Sequence, residues 1–332
     1  MSAAGVWAGL ADSVFLAGFD PRERDPAHIA VAFVGGCLLA MLAAICCHLL
    51  IVIPYALLAG EGARGLNGLG DVARAMNDPN ISSPALTVVR LIVATADNAV
   101  LWVVLVAFAA VIVHHPLRTY LTVAPHFRWR LMGLAMVLAI AVVMPMVIAE
   151  RVLEGDAALP PILSVSSLPG DRLGYILAAL LLIPAAFAEE LIFRGWLMRQ
   201  IGAFLRKPAI VISVSSLTFS AVHGDFAPDV FLARALMGAG FGYMTLRLGG
   251  IEFPTGVHAA YNILLVLFLQ PLSVGPTVGA DVPAFSVVAN VALLGGYVLI
   301  TELTVRIPAL RRLAGLRMEE ISPSHDVSAH VS

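Results

Sequence analysis

The sequence predicts an all-α, polytopic membrane helix bundle of about eight transmembrane helices. Composition is the first reason. Of 332 residues, 60% are hydrophobic and only 13% charged, against about 45–50% and about 25% in soluble domains. Patterning is the second. The apolar residues gather into eight stretches, at 29–58, 91–113, 131–148, 173–193, 209–222, 230–246, 251–269 and 285–307, and a bilayer core of about 30 Å needs about 20 apolar residues per helix. An integral membrane protein follows, with the lipid bilayer as its solvent. The net charge of −2 and the lack of a basic tract exclude nucleic acid as a partner.

Residues 1–28 form a cytoplasmic amino-terminal segment. Val6, Leu10 and Val14 recur every four positions beside Trp7 and Phe15, which predicts a short interfacial helix over 6–19, too short to span. A cleavable signal peptide is not expected, because Asp12 interrupts the segment and Arg22 and Arg24 follow it. Residues 29–172 hold the first three spans and their loops. Cys37, Cys46 and Cys47 lack CxxC spacing and read as packed free thiols. His48 and the pair Asp97-Asn98 read first as cross-helix bonding groups. Lining of a proton or substrate path by Asp97 is the alternative.

Residues 173–270 contain four segments, of which the fifth and sixth of the chain are short. Pro145 and Pro184 read as kinks, Met144 and Met146 as packing, and the glycines within 238–242 as close helix contacts. Residues 271–310 hold the last span, where Glu302 lies four before Arg306 as an expected ion pair. The polar stretch 311–332 reads as a cytoplasmic tail, disordered from Met318. Arg and Lys are concentrated on the flanks that share a side with both termini, which predicts cytoplasmic termini; the expected location is a bacterial inner (cell) membrane.

Two adjacent carboxylates, Glu189 and Glu190, sit in the apolar string AFAEELIFR at 186–194. An ionised side chain at a helix centre costs roughly 2.5–3.5 kcal/mol even on a lenient insertion scale. Two in a row require a reason. Positions four apart share a helix face, so Glu190 and Arg194 can neutralise each other, leaving Glu189, about 100° round the helix, to face a cavity. Phe219 and His223 repeat that spacing, as do His258 and Asn262. An acid, a histidine, and a histidine with an amide suit attack of water on a peptide carbonyl. A carboxylate in a low-dielectric pocket becomes a stronger base, a histidine can share the water and protonate the leaving amine, and an imidazole and an amide can stabilise the oxyanion.

The motifs EExxxR (Glu189, Glu190, Arg194), FxxxH (Phe219, His223) and HxxxN (His258, Asn262) resemble, in order and separation, the CAAX-protease and bacteriocin-processing (CPBP) family of intramembrane endopeptidases, related to the type II CAAX prenyl proteases. Gly224 and the glycine-rich segment at 238–242 add to the likeness. It covers 173–269, whereas the first three spans carry no such signature. The resemblance implies a membrane protease acting on prenylated proteins, peptide precursors or other substrates in or at the membrane. By the same resemblance Glu189 and His223 activate water, His258 and Asn262 hold the oxyanion, and Glu190, Arg194 and Phe219 support the site. It also implies a glutamate mechanism that requires no cofactor. Zinc stays open on the residues alone, with Glu189, His223 and His258 as its ligands, although the HExxH helix is absent.

Two other classes compete. A catalytically silent scaffold or immunity-type protein on the same fold would favour loss of the glutamate or a histidine, and all are present. A transporter would favour inverted repeats, whereas the motifs cluster in one half. A water-accessible cavity open toward the cytoplasmic half is expected: Glu189 stands near the inner end of the segment 173–193, and either that helix ends deep with 195–206 running on at or below the surface, or the short segment 209–222 keeps His223 well below the outer surface.

Overall fold

The computed structural model describes residues 10, 13–58, 66–77, 84–153, 159–164, 169–269 and 284–317. Among these, all regular structure is helical apart from one isolated bridge between Thr122 and Gly250. The principal helices are α1 (Pro26–Leu58), α2 (Leu66–Asn77), α3 (Pro84–Ile112), α4 (Trp129–Leu153), α5 (Pro169–Leu180) and α6 (Leu182–Glu190). They continue with α7 (Met198–Phe204), α8 (Pro208–Ala221), α9 (Pro228–Leu248), α10 (Glu252–Phe268), α11 (Ala284–Arg306) and α12 (Pro308–Ala314).

All eight apolar stretches are helical, and five helical stretches are long and apolar enough to cross a bilayer: Pro26–Leu58, Val88–Ile112, Trp129–Val152, Arg172–Phe204 and Val288–Arg306. The other three, α8, α9 and α10, are short or carry polar side chains. α1 is apolar all round, with Leu38 and Leu50 exposed, as a lipid-facing helix should be. It packs on α3. α4 packs on α10, α8 on α9, and α9 on α11, while α6 lies between α3 and α10. The helix with the two glutamates is thus held from both sides.

That helix departs from the sequence expectation. It runs on from α6 through a wide π turn, Leu191–Leu197, into α7 and reaches Phe204, so Glu189 stands near its middle and not near its end. Arg199, counted among the flanking cations, lies inside this helix, as does Arg194. Both are buried and neutralised: Arg194 by Glu190, and Arg199 by Glu23, whose Oε1 accepts from Nε at 2.8 Å. A buried charge is tolerable when paired and hydrogen-bonded. The break before α6 has a local cause. Pro184 has no N–H to give the carbonyl of Leu180, and the chain tightens there, Leu181 N bonding Ala178 O at 3.0 Å.

The amino-terminal expectation also changes. The predicted interfacial helix falls mostly outside the described residues, and its described end is one 3₁₀ turn, Val14–Leu16. Phe15 and Leu16 are buried with Met198, Tyr243 and Leu246, so this end packs on protein, with Val14 exposed beside it. α2 occupies part of the first long connection, where no helix was expected. The sequon letters at 80–82 and the tail from 318 lie outside the described residues.

Candidate active site

Four helices converge on Glu189. Its Oε1 accepts a hydrogen bond from Asn98 Nδ2 of α3 at 2.6 Å, and its Oε2 lies 3.6 Å from His258 Nε2 of α10. The latter is too long for a hydrogen bond. Glu189 keeps 16% of its side chain exposed and lines a cavity of about 400 Å³ with Thr95, Asn98, His223 and Asn262. The remaining walls are apolar, among them Trp102, Leu182, Phe193, Leu265 and Val266. A few convergent polar groups in an apolar cleft is the usual make-up of a small-molecule or peptide site.

Glu190 turns the other way and is fully buried. Its Oε1 accepts from Arg194 Nη1 at 3.1 Å and faces His258 Nδ1 at 2.8 Å. The sequence spacing anticipated the first contact and missed the second. A carboxylate accepts only, so the proton on His258 resides on Nδ1 and Nε2 is turned toward Glu189. In the neutral ring Nε2 is an acceptor; in the imidazolium it is a donor. Glu190 therefore fixes the ring that was expected to share oxyanion binding with Asn262.

His223 stands two residues past the end of α8, in a turn that Gly224 completes at φ +71°, a conformation glycine adopts freely. Its Nδ1 lies 2.7 Å from the Phe219 carbonyl. That carbonyl can only accept, which leaves Nε2 of the neutral ring as a free acceptor. The Phe219 ring meets His223 edge-on at 4.9 Å and His258 at 5.9 Å, while the Arg194 guanidinium rests 4.4 Å from its centre. The expected aromatic wall is therefore a hub joining both imidazoles to the buried cation, through T-shaped and cation–π contacts. Phe241, within the glycine-rich stretch, stacks on His258 at 5.0 Å. Beside it Gly238 accepts from Arg194 Nη2 through its carbonyl, at 3.2 Å, and a Cβ there would crowd that guanidinium and Ser216. The close-packing reading of those glycines holds.

The sequence thus placed Glu189, His223, His258, Asn262, Glu190, Arg194 and Phe219, and the structure brings them together. It missed Asn98. The available signal was an amide in an apolar span beside Asp97, read only as a cross-helix bonding group. Asp97 does bond across helices, to His48 Nδ1 at 2.8 Å, while Asn98 reaches the glutamate. The expected cavity position is also corrected. Its lining draws on the end of α8 remote from Lys207 and the carboxyl-terminal half of α10, the half of the bundle away from the described chain ends. Glu302 forms the expected pair with Arg306 at 2.9 Å and also binds Arg247 and Tyr243. Among the described residues, no group of three or more His, Cys, Asp or Glu side chains is arranged to hold a metal ion.

Fold and site together define an integral membrane helix bundle in which a glutamate and a histidine line a cavity and a second, buried histidine stands behind the glutamate. A comparison with known families bears on the segment that carries these residues. Residues 171–264 match the family model described as type II CAAX prenyl endopeptidase Rce1-like, so the resemblance read from the three motifs holds over the segment that carries them. A curated relative, the uncharacterised protein YyaK of Bacillus subtilis strain 168, is 26% identical over 166 residues, 48% of this chain and 54% of that protein. The chain thus matches about half the length of that relative. No solved structure matches.

Proposed function

We propose that the chain is a membrane-embedded endopeptidase of the CAAX-protease type, in a bacterial inner (cell) membrane with both termini cytoplasmic. Its substrates are peptides or proteins in or at the bilayer, among them prenylated chains and peptide precursors. One observation carries the reading: a partly exposed carboxylate, Glu189, faces a cavity beside His223 and Asn262, while His258, one turn from Asn262, has its outer nitrogen turned toward that carboxylate.

Water in the cavity gives a proton to Glu189, and the hydroxide attacks the peptide carbonyl. Asn98 holds one carboxylate oxygen, which leaves the other for the water. His223 Nε2 accepts the second water hydrogen and orients the nucleophile. The tetrahedral oxyanion is stabilised by the Asn262 amide and by His258 when Nε2 is protonated. Collapse breaks the C–N bond, and the proton held by Glu189 passes to the leaving amine. One water is consumed, and a carboxylic acid and an amine result.

The test is a comparison of membrane and secreted proteomes from cells carrying wild type and Glu189→Ala, with uncut precursor expected to accumulate in the variant. Identical proteomes at equal protein abundance would favour a silent scaffold. Asn262→Ala is expected to slow cleavage by about 10²–10³, the usual worth of one oxyanion donor. Asn98→Ala is expected to cost less, since it orients a base and touches no reacting atom; a peptide-cleavage assay in detergent ranks the two. The reading requires no metal, because every step uses protein groups. Treatment with 1,10-phenanthroline is expected to leave the rate unchanged, and loss of activity restored by zinc would overturn that expectation.

A further inference from the structure

We infer that the cavity opens on the extracytoplasmic half of the bilayer, and that of the substrate classes proposed above it takes peptide precursors presented from outside after translocation, not prenylated chains, which are modified in the cytoplasm; the substrate claim rests on the protease reading above. The first step is to establish which helix ends lie together. Glu23 binds Arg199, Arg24 binds the carbonyl of Ala203, and Ser13 binds that of Leu246. Arg128 grips Glu252 through two nitrogens at 2.8 Å each, and Arg130 bonds the carbonyl of Arg312. The start of α1, the ends of α7 and α9, the starts of α4 and α10, and α12 therefore share one end of the bundle. At the other end Arg151 bonds the carbonyl of Phe268, and Tyr175 that of Val266.

The two ends differ in cations. The first presents exposed Arg118, Arg130, Arg206, Lys207, Arg306 and Arg312. At the second, among the described residues, Arg74 is exposed and is paired with Asp71, while Arg90, Arg151, Arg172 and Arg234 are half-buried, the last 3.8 Å from Asp225. Burial removes several arginines from the sequence count, yet the asymmetry persists. By the positive-inside rule the first end is cytoplasmic.

The cavity belongs to the second end. Toward the cytoplasm it is stopped by Glu190, Arg194 and His258, which are 0%, 0% and 2% exposed, and by Phe219 at 0%. Below these, the loop after α3 seals the bundle, for a Cβ on Gly195 would overlap the Tyr120 carbonyl. In the opposite direction Val222 and His223 are exposed, and Phe226 beyond them is 67% exposed. α8 has 14 residues and so rises about 21 Å from Lys207, against a core of about 30 Å. With Lys207 at the inner boundary, the end of α8 accordingly lies roughly 9 Å below the outer one, and His223 follows two residues beyond it. The mouth is an apolar lip sunk in the outer leaflet, suited to an apolar stretch of a translocated chain.

The test uses cysteine accessibility in a background lacking Cys37, Cys46 and Cys47, in intact bacterial cells, with a membrane-impermeant maleimide. Phe226→Cys is expected to label from outside and Leu313→Cys only after permeabilisation. Labelling of Leu313→Cys in intact cells, or of Phe226→Cys only after permeabilisation or not even in detergent, would overturn the orientation. Labelling does not depend on catalysis, so it is repeated in Glu189→Gln. A quenched apolar peptide is then offered to right-side-out and inverted membrane vesicles. Cleavage by right-side-out vesicles supports the substrate class, and cleavage by inverted vesicles alone overturns it. Outward labelling with no cleavage by either preparation counts against the protease reading and removes the substrate claim with it.

Discussion

Glu189→Gln is expected to reduce peptide cleavage by about 10³-fold or more while leaving the protein folded. A positioned general base contributes about 10²–10⁴, and an amide has no basicity to replace it. The substitution is close to isosteric, and its carbonyl oxygen still accepts from Asn98, now at 2.6 Å from the carboxylate. Only the proton-accepting step is removed. Rates of purified protein in detergent, at matched abundance and with melting temperatures compared, check this directly. Wild-type activity in a normally folded Glu189→Gln protein would end the assignment of Glu189 as base.

The parts of the site legible in the sequence are those that helical geometry converts from spacing into direction. Glu190 with Arg194, Phe219 with His223, and His258 with Asn262 are each four apart, so each pair had to share a face once the helix was granted. Contacts between helices carry no such local rule. Nothing in 91–113 says which side of α3 meets α6, so Asn98 was seen but not placed, and the Glu190–His258 bond was invisible for the same reason. The central helix runs beyond the apolar stretch 173–193, although a flanking arginine such as Arg199 ordinarily lies at the end of a span. Arg194 and Arg199 are exceptions because each has its own buried carboxylate, one four residues away and one, Glu23, 176 residues away. A helix ending at 193 would carry Glu189 toward the inner surface, and the cavity with it. Extending it to Phe204 moves Glu189 to mid-depth and removes the need for that placement.

Arg194→Met and Glu190→Gln are expected to destabilise the protein by about 3–5 kcal/mol each, the cost of leaving one member of a buried pair uncompensated. Both side chains are completely buried. Arg194 lies near the faces of Phe193, Phe219 and Phe241, so an orphaned charge would be left among apolar rings. Already in the native pair, Arg194 Nε and Glu190 Oε2 have no hydrogen-bond partner. The double variant Glu190→Gln/Arg194→Met removes both charges, and replacing a whole buried pair is often neutral. It is therefore expected to recover most of the lost stability, so the two effects are strongly non-additive. Unfolding in detergent of the wild type, both single variants and the double variant gives the coupling. Activity separates the two duties of Glu190. The glutamine oxygen can still accept from His258 Nδ1, which keeps the ring oriented, so the double variant is expected to retain part of the cleavage rate. If the single variants melt like wild type while Glu189→Ala is the unstable one, the two adjacent carboxylates have exchanged roles.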